Sequence, residues 1–184
     1  MKANEENGQF TKPSELRIIR ILPGPIERVW DFLTDPEKRS RWFAGGPMEQ
    51  RNGGKMTLYF HHKNLAPQET PPEPYAKFHD PGASMEGTVL RCEPPHLLSY
   101  TFGSSGDSDV TFELTEQGKN VMLVLTHRSR GEDVPDMGDF GAGWHTHVAH
   151  LVALLEGDKA PPFWPMHASL KPVYERLRAA AQGS

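Results

Sequence analysis

The sequence predicts an α+β domain in which a curved antiparallel sheet wraps around one long helix near the C-terminus. Three observations indicate this fold. Four strand-like segments follow one another through short turns, which is typical of an antiparallel meander. Two short helical segments follow the first strand, and a longer amphipathic helix follows the last one. A sheet with one apolar face must cover that face, and the long helix is the only element large enough to do so.

The N-terminal half starts with a strand and two short helices. Residues 15–22 are rich in β-branched side chains and end at Pro23, which predicts a strand. A helix follows, because apolar residues recur at i, i+3, i+4 and i+7: Ile26, Val29, Trp30 and Leu33. Asp35 as N-cap and Pro36 in the first turn predict a second short helix, which ends near Trp42.

The middle of the chain predicts the rest of the sheet. Strands are expected over residues 55–61, 85–92, 97–102, 109–115 and 120–128. Apolar and polar residues alternate in these strands, so one face of the sheet is buried and the other is wet. Residues 62–83 contain five prolines and few apolar side chains, which leaves two readings: a functional flap or a disordered loop.

The ends of the chain set the predicted boundaries. Residues 1–13 are polar and predict a disordered tail, followed by a ligand-binding domain over 14–157. The long helix is predicted over 140–156, with Gly157 as its C-cap. Residues 158–184 form a C-terminal extension with one short helix, expected over 170–181.

Composition excludes several classes of function. The formal net charge is −4 and the pI is near 6.1, so no clustered excess of basic residues indicates nucleic-acid binding. Cys92 is the only cysteine, which excludes an intramolecular disulfide and argues against a cysteine metal site. No segment has the apolar length of a membrane span, and the N-terminus lacks the apolar core of a signal peptide. We therefore expect a cytoplasmic protein; a homodimer is compatible with the sequence.

Several segments together resemble a known family. They are Pro25 to Trp30, Thr34 to Glu37, Trp42, Glu86 to Val89, Glu93 to Pro95, Leu97 to Tyr100, Asp109 to Leu114, Val121 to His127 and Gly143 to His145. In this order they are similar to the START-like, helix-grip (SRPBCC) superfamily, and within it to the branch named for homology to the activator of the heat-shock protein 90 ATPase. The resemblance covers roughly residues 14–157.

The resemblance implies a helix-grip fold with a hydrophobic cavity and, for most bacterial members, no established reaction. Two segments depart from the family pattern, namely the long proline-rich stretch 62–83 and residues 158–184. The sequence also shows no separate N-terminal domain of the kind with which the eukaryotic co-chaperone grips its partner. Direct activation of a chaperone is therefore not expected.

Histidine is the residue type most suggestive of chemistry. His127 and His147 are the candidates for general acid–base catalysis, with Glu113 and Asp109 as weaker ones. His147 and His150 share a side of the long helix and could bind zinc only if a strand supplied a third ligand, so no metal site is predicted. No cofactor-binding motif is present.

Aromatic residues on the predicted strands and helix faces are expected to line the cavity. The predicted wall consists of Trp42, Tyr59, Tyr100, Phe102, Phe112, Trp144, His147 and Leu151. The preferred function is non-catalytic binding of a small, mostly hydrophobic molecule, lipid-like, aromatic or polyketide-like. The alternatives are a cyclase- or hydrolase-like enzyme that uses a cavity histidine, and a stress-related interaction module whose C-terminal helix docks on a partner.

Overall fold

Seven antiparallel strands form one curved sheet in the order β1-β2-β7-β6-β5-β4-β3. The computed structural model describes residues 4–103, 106–130 and 137–183. The strands are β1 (Gln9–Lys12), β2 (Glu15–Pro23), β3 (Lys55–Phe60), β4 (Ala83–Glu93), β5 (Leu97–Phe102), β6 (Ser108–Gln117) and β7 (Asn120–Ser129). The predicted meander is confirmed, since β4 to β7 pair in sequence order with short turns between them.

Five helices accompany the sheet in the described residues. They are α1 (Ile26–Thr34), α2 (Pro36–Ser40), α3 (Ala76–His79), α4 (Met137–Glu156) and α5 (Phe163–Gln182). The break between the first two is as predicted, because the Asp35 carboxylate accepts hydrogen bonds from the backbone N–H groups of Glu37 and Lys38 at 3.0 and 2.9 Å. No helix in these parts of the chain combines the length and apolar character needed to cross a bilayer.

The core lies between the sheet and α4. Inward-facing residues of β6, such as Phe112, are fully buried, while the alternate positions are more exposed. The apolar face of the amphipathic helix α4 is buried as well, apart from the half-buried Val152; its buried members are Trp144, Val148, Leu151 and Leu155. The apolar face of the sheet, formed by every second residue of each strand, thus packs against the apolar face of α4, and together they form one core next to the site.

The N-terminal tail corrects one expectation. Disorder was expected over residues 1–13; residues 1–3 lie outside the described part of the chain, but residues 9–12 form β1 and pair with β2. The backbone N–H of Gly8 also donates a 2.7 Å hydrogen bond to the hydroxyl of Tyr174 on α5. A polar segment without apolar periodicity is held here by backbone pairing with the adjacent strand and by a hydrogen bond to the distant Tyr174.

The C-terminal helix is longer than expected. It begins at Phe163, not near residue 170, and continues to Gln182 with Pro172 inside it. Pro165 falls in its first turn, where a backbone N–H has no helical partner to lose. The helix packs along α4, where a Cβ on Gly141 would lie 2.4 Å from Cδ1 of Tyr174, so a glycine is required for the close approach of the two helices there.

The proline-rich segment 62–83 has defined structure. It forms 3₁₀ turns at His62–Asn64 and Glu73–Tyr75 and then α3. The Glu69 carboxylate accepts hydrogen bonds from the first two N–H groups of α5, those of Phe163 and Trp164, at 3.0 and 2.7 Å. These two backbone groups have no partner within the helix, so Glu69 ties the segment to the start of α5.

Candidate functional site

A cavity of about 150 Å³ lies where the sheet, α4, α5 and the segment 62–83 meet. Its lining residues are mostly aromatic. They are Phe43, Phe60, His62, Tyr75, Phe78, Met85, Phe102, Asp139, Phe140, Gly143, Trp144, His147, Phe163, Trp164 and His167. An apolar cavity of about this size is large enough to hold a single aromatic ring.

Phe43 stands at the centre of the aromatic wall. Its ring lies 4.8 Å from that of Trp144 and 5.3 Å from that of Phe60, measured between centroids. The loop that carries Phe43 is fixed by the buried guanidinium of Arg39, which donates hydrogen bonds to the carbonyls of Ala44, Gly45 and Gly46. A buried arginine that bonds backbone carbonyls is a rigid support for this wall.

His147 presents one ring nitrogen to its surroundings as an acceptor. Its Nδ1 is 2.8 Å from the carbonyl oxygen of Trp42, so Nδ1 carries the proton and donates. Burial, reinforced by the neighbouring His62, holds the pKa of His147 well below its usual value. The ring is therefore neutral, and Nε2 keeps its lone pair.

His62 is the second imidazole of the cavity wall and was not among the predicted site residues. It is 8% exposed, and neither ring nitrogen has a hydrogen-bond partner among the described residues. Its ring centroid lies 5.1 Å from that of His147. Burial, with a smaller contribution from the nearby His79, lowers the pKa of His62 to about 3.

The edge of the cavity at α5 carries a charged group of residues. The Tyr75 hydroxyl donates to the Asp139 carboxylate, and Lys171 Nζ donates to the Tyr75 oxygen at 3.0 Å. Lys171 also pairs with Asp139 at 3.2 Å, and His167 Nε2 lies 3.6 Å from the same carboxylate. The Tyr75 bond and the Asp139 charge raise the pKa of Lys171, while burial and Asp139 raise that of Tyr75. The carboxylate is thus neutralised by a lysine and tied to the segment 62–83.

His127, the other predicted catalytic residue, lies outside the cavity lining. Its Nδ1 accepts a hydrogen bond from the indole of Trp144, and its Nε2 faces the Ser108 hydroxyl, both at 2.9 Å. The side chain is fully buried, and burial lowers its pKa to about 3. Both nitrogens are used within the fold, so neither is placed to move a proton to or from a ligand.

The structure places the eight predicted wall residues in three groups. Phe102, Trp144 and His147 line the cavity. Four others are buried in the core without lining it: Trp42, Tyr100, Phe112 and Leu151.

Tyr59 was predicted to line the cavity, but this was wrong, because its side chain is 53% exposed. Side chains alternate along β3, and since Leu58 and Phe60 face inward, Tyr59 faces solvent.

The weaker acid–base candidates are also outside the cavity lining: Glu113 is exposed on β6, and Asp109 pairs with Arg130.

Much of the cavity wall comes from segments that the sequence analysis left outside the site. Phe163, Trp164 and His167 come from the first turns of α5, and Tyr75 and Phe78 from the segment 62–83. The adjacent pair Phe163 and Trp164 directly after two prolines was the one local signal, since two large apolar residues together seldom remain exposed. In the described parts of the chain, no three metal-ligating side chains are grouped so as to hold an ion.

Comparison with known proteins agrees with the geometry. The family described as "Activator of Hsp90 ATPase homolog 1-like protein" matches residues 23–156. The solution structure of the protein encoded by gene BPP1335 from Bordetella parapertussis is 44% identical over 89% of this chain and 85% of that one, with a TM-score of 0.76. No curated protein matches the chain.

Two further solved structures share the fold. CalU16 from Micromonospora echinospora is 25% identical over 89% of this chain and 88% of that one, with a TM-score of 0.65. DynU16, a protein of the dynemicin biosynthetic locus, is 20% identical over 80% of this chain but 49% of that one, with a TM-score of 0.62. The fold and the matched residues together place the chain in the family of Activator of Hsp90 ATPase homolog 1-like proteins, within the START-like, helix-grip superfamily.

Proposed function

We propose that the protein binds a small, mostly hydrophobic molecule in this cavity and does not catalyse a reaction on it. The observation that carries the proposal is the aromatic lining of the cavity of about 150 Å³, to which distant parts of the chain contribute. Apolar contact supplies most of the affinity in such a site, at ~25 cal/mol per Å² buried. DynU16, which has the same fold, belongs to a biosynthetic locus, which favours a small molecule over a protein as the ligand.

The two histidines considered for catalysis support binding better than turnover. His127 is enclosed and has both nitrogens in hydrogen bonds. His147 lines the cavity, but its low pKa makes it a weak base at neutral pH. A cyclase- or hydrolase-like mechanism would need a titratable group with a pKa closer to the working pH.

The alternative of a docking helix at the C-terminus has less support. The apolar stripe expected to meet a partner contains Tyr174, which is fully buried, and Leu170 and Leu177, which pack against the core. This stripe is therefore used inside the fold, against α4. The exposed positions of α5 carry small or polar residues and proline, and no large apolar side chain is among them.

Gly143 allows a direct test. It lines the cavity, and a Cβ built on it would meet no atom within 4 Å. We expect wild-type protein to bind p-xylene, a one-ring probe, in isothermal titration calorimetry. Gly143→Leu should abolish binding by filling the cavity, whereas Gly143→Ala, which adds one methyl group, should retain it. Equal affinities for wild type and Gly143→Leu would contradict the proposal.

A further inference from the structure

The pair of neutral imidazoles in the cavity wall selects for a particular polar group on the ligand. We infer that the protein prefers an uncharged aromatic ring bearing a hydroxyl group, a phenol, and that this hydroxyl forms hydrogen bonds with both His62 and His147. The inference rests on the proposed function, because it names the class of molecule that the same cavity takes.

The first step is the hydrogen-bonding capacity of the two rings. Donation from Nδ1 of His147 to the Trp42 carbonyl leaves Nε2 able only to accept. A neutral His62 has one N–H donor and one acceptor nitrogen, and both are buried without a partner among the described residues. Buried polar groups without partners cost free energy, so a ligand that pairs with them gains affinity.

The second step is the kind of group that matches this pair. The ring centroids of His62 and His147 are 5.1 Å apart, so the rings are in contact and one small group beside the pair can reach both. A hydroxyl accepts from the N–H of His62 and donates to Nε2 of His147. A methyl group does neither, and an ammonium group cannot accept. A carboxylate has no proton to donate to Nε2 of His147, and the apolar cavity would remove the water that solvates its charge.

The third step is the shape of the remaining space. Phe43 and Phe163 meet the ring of His147 edge to face, with centroids 5.0 and 4.9 Å away. Phe60 and Phe78 also meet edge to face, at 5.9 Å. The wall thus presents both ring faces and ring edges to the cavity. A planar aromatic ligand suits such a wall, because it can stack on the faces and meet the edges at right angles. A cavity of about 150 Å³ limits the enclosed part to a single ring.

Two probes of nearly equal shape test the inference. p-Cresol and p-xylene differ by a hydroxyl in place of a methyl group, and p-toluate adds the charged case. A purely apolar cavity prefers p-xylene, because moving a hydroxyl out of water has a cost. We expect calorimetry to show p-cresol binding at least about threefold more tightly than p-xylene, with p-toluate weakest.

Variants of His62 identify the residue responsible. His62→Leu should weaken p-cresol binding about tenfold and change p-xylene binding by less than about twofold. His96→Leu, a change at the turn before β5 and outside the cavity lining, should change neither affinity. His62→Gln keeps a donor and an acceptor and should retain the preference for p-cresol, provided that circular dichroism shows a wild-type fold.

The outcomes separate the two proposals. If p-xylene binds wild type more tightly than p-cresol, the hydroxyl assignment is overturned, while binding in the cavity stands. The same holds if His62→Leu leaves the ratio of the two affinities unchanged. If neither probe binds, the proposed function fails together with the inference. The ratio of the p-cresol and p-xylene affinities of wild type tests the hydroxyl assignment without any variant. A poorly folded His62→Leu protein therefore does not affect that result.

Discussion

The indole Nε1–H of Trp144 donates a 2.9 Å hydrogen bond to Nδ1 of His127. The neutral imidazole therefore carries its proton on Nε2, from where it donates to Ser108 Oγ, and the Ser108 hydroxyl donates in turn to the carbonyl of Phe102. This series of hydrogen bonds links α4 to the strands β5, β6 and β7 next to the cavity. His127, a catalytic candidate in the sequence, thus serves to position two wall residues, Trp144 and Phe102.

Acidification should destabilise the protein through its buried histidines. Burial lowers the pKa of His127 and of His62 to about 3 and that of His145 to about 4. The unfolded chain takes up these protons first, from its ordinary pKa of about 6.5 downward. The free energy of unfolding should be at its plateau above pH 6.5 and fall as the pH drops from there toward 4, by at most about 1.4 kcal/mol per pH unit for each histidine. Urea denaturation at several pH values measures this.

His127→Gln is the control for that slope. Glutamine retains a donor and an acceptor but does not titrate, so the variant should lose less stability between pH 6.5 and 4 than wild type does. An identical pH dependence in both proteins would show that His127 is not held neutral by the fold.

Two glycines on α4 should respond to alanine in opposite directions. Gly143→Ala should stabilise the protein by about 1 kcal/mol, because alanine favours the helix and its methyl group meets open space. Gly141→Ala should destabilise it by about 1–3 kcal/mol, because its Cβ would lie 2.4 Å from the Tyr174 ring. Chemical denaturation measures both, and a stable Gly141→Ala protein would contradict the close packing of α4 on α5.

The hydroxyl of Tyr174 joins three distant parts of the chain. It accepts from the N–H of Gly8 at 2.7 Å and is 2.9 Å from Nδ1 of His145. Tyr174→Phe should lower the free energy of unfolding by about 1–3 kcal/mol, since both partners lose a buried hydrogen bond. Tyr59→Phe removes an exposed hydroxyl and should change it by less than about 0.5 kcal/mol. Comparable losses in the two variants would argue against the buried network.

The Glu69 carboxylate should hold the segment 62–83 over the cavity. Glu69→Ala removes the acceptor for the first two N–H groups of α5 and should speed proteolytic cleavage within 62–83. Glu73→Ala, an exposed position in the same segment, is the matched control and should be cleaved at the wild-type rate. Saturating p-cresol should slow cleavage of wild type, and an unchanged rate would argue against a flap.

The fold could be predicted from the sequence because its signals are local. The cap at Asp35, the alternation in β6 and the apolar stripe of α4 each depend on neighbouring residues. Two elements were not predicted because each depends on at least one contact that is distant in sequence. Strand β1 depends on pairing with β2 and on Tyr174, and the first turns of α5 depend on Glu69.

The cavity wall was predicted only in part, for the same reason. Phe102, Trp144 and His147 come from strong periodic elements. Tyr59 was placed on the wrong face, although the alternation of β3 already opposed it to Leu58 and Phe60. His62 lies two residues after that strand, in a proline-rich stretch without periodicity, so only the folded structure shows which way its ring faces.

The four tryptophan indoles provide the most direct test of the central claim that the cavity binds a small aromatic molecule. Trp144 and Trp164 line the cavity, whereas Trp30 and Trp42 are buried elsewhere. In ¹H–¹⁵N NMR spectra, titration with p-cresol should shift the indole signals of Trp144 and Trp164 saturably and leave that of Trp30 in place. Gly143→Leu should abolish both shifts. Unmoved signals in wild type, or shifts that persist in Gly143→Leu, would contradict the account.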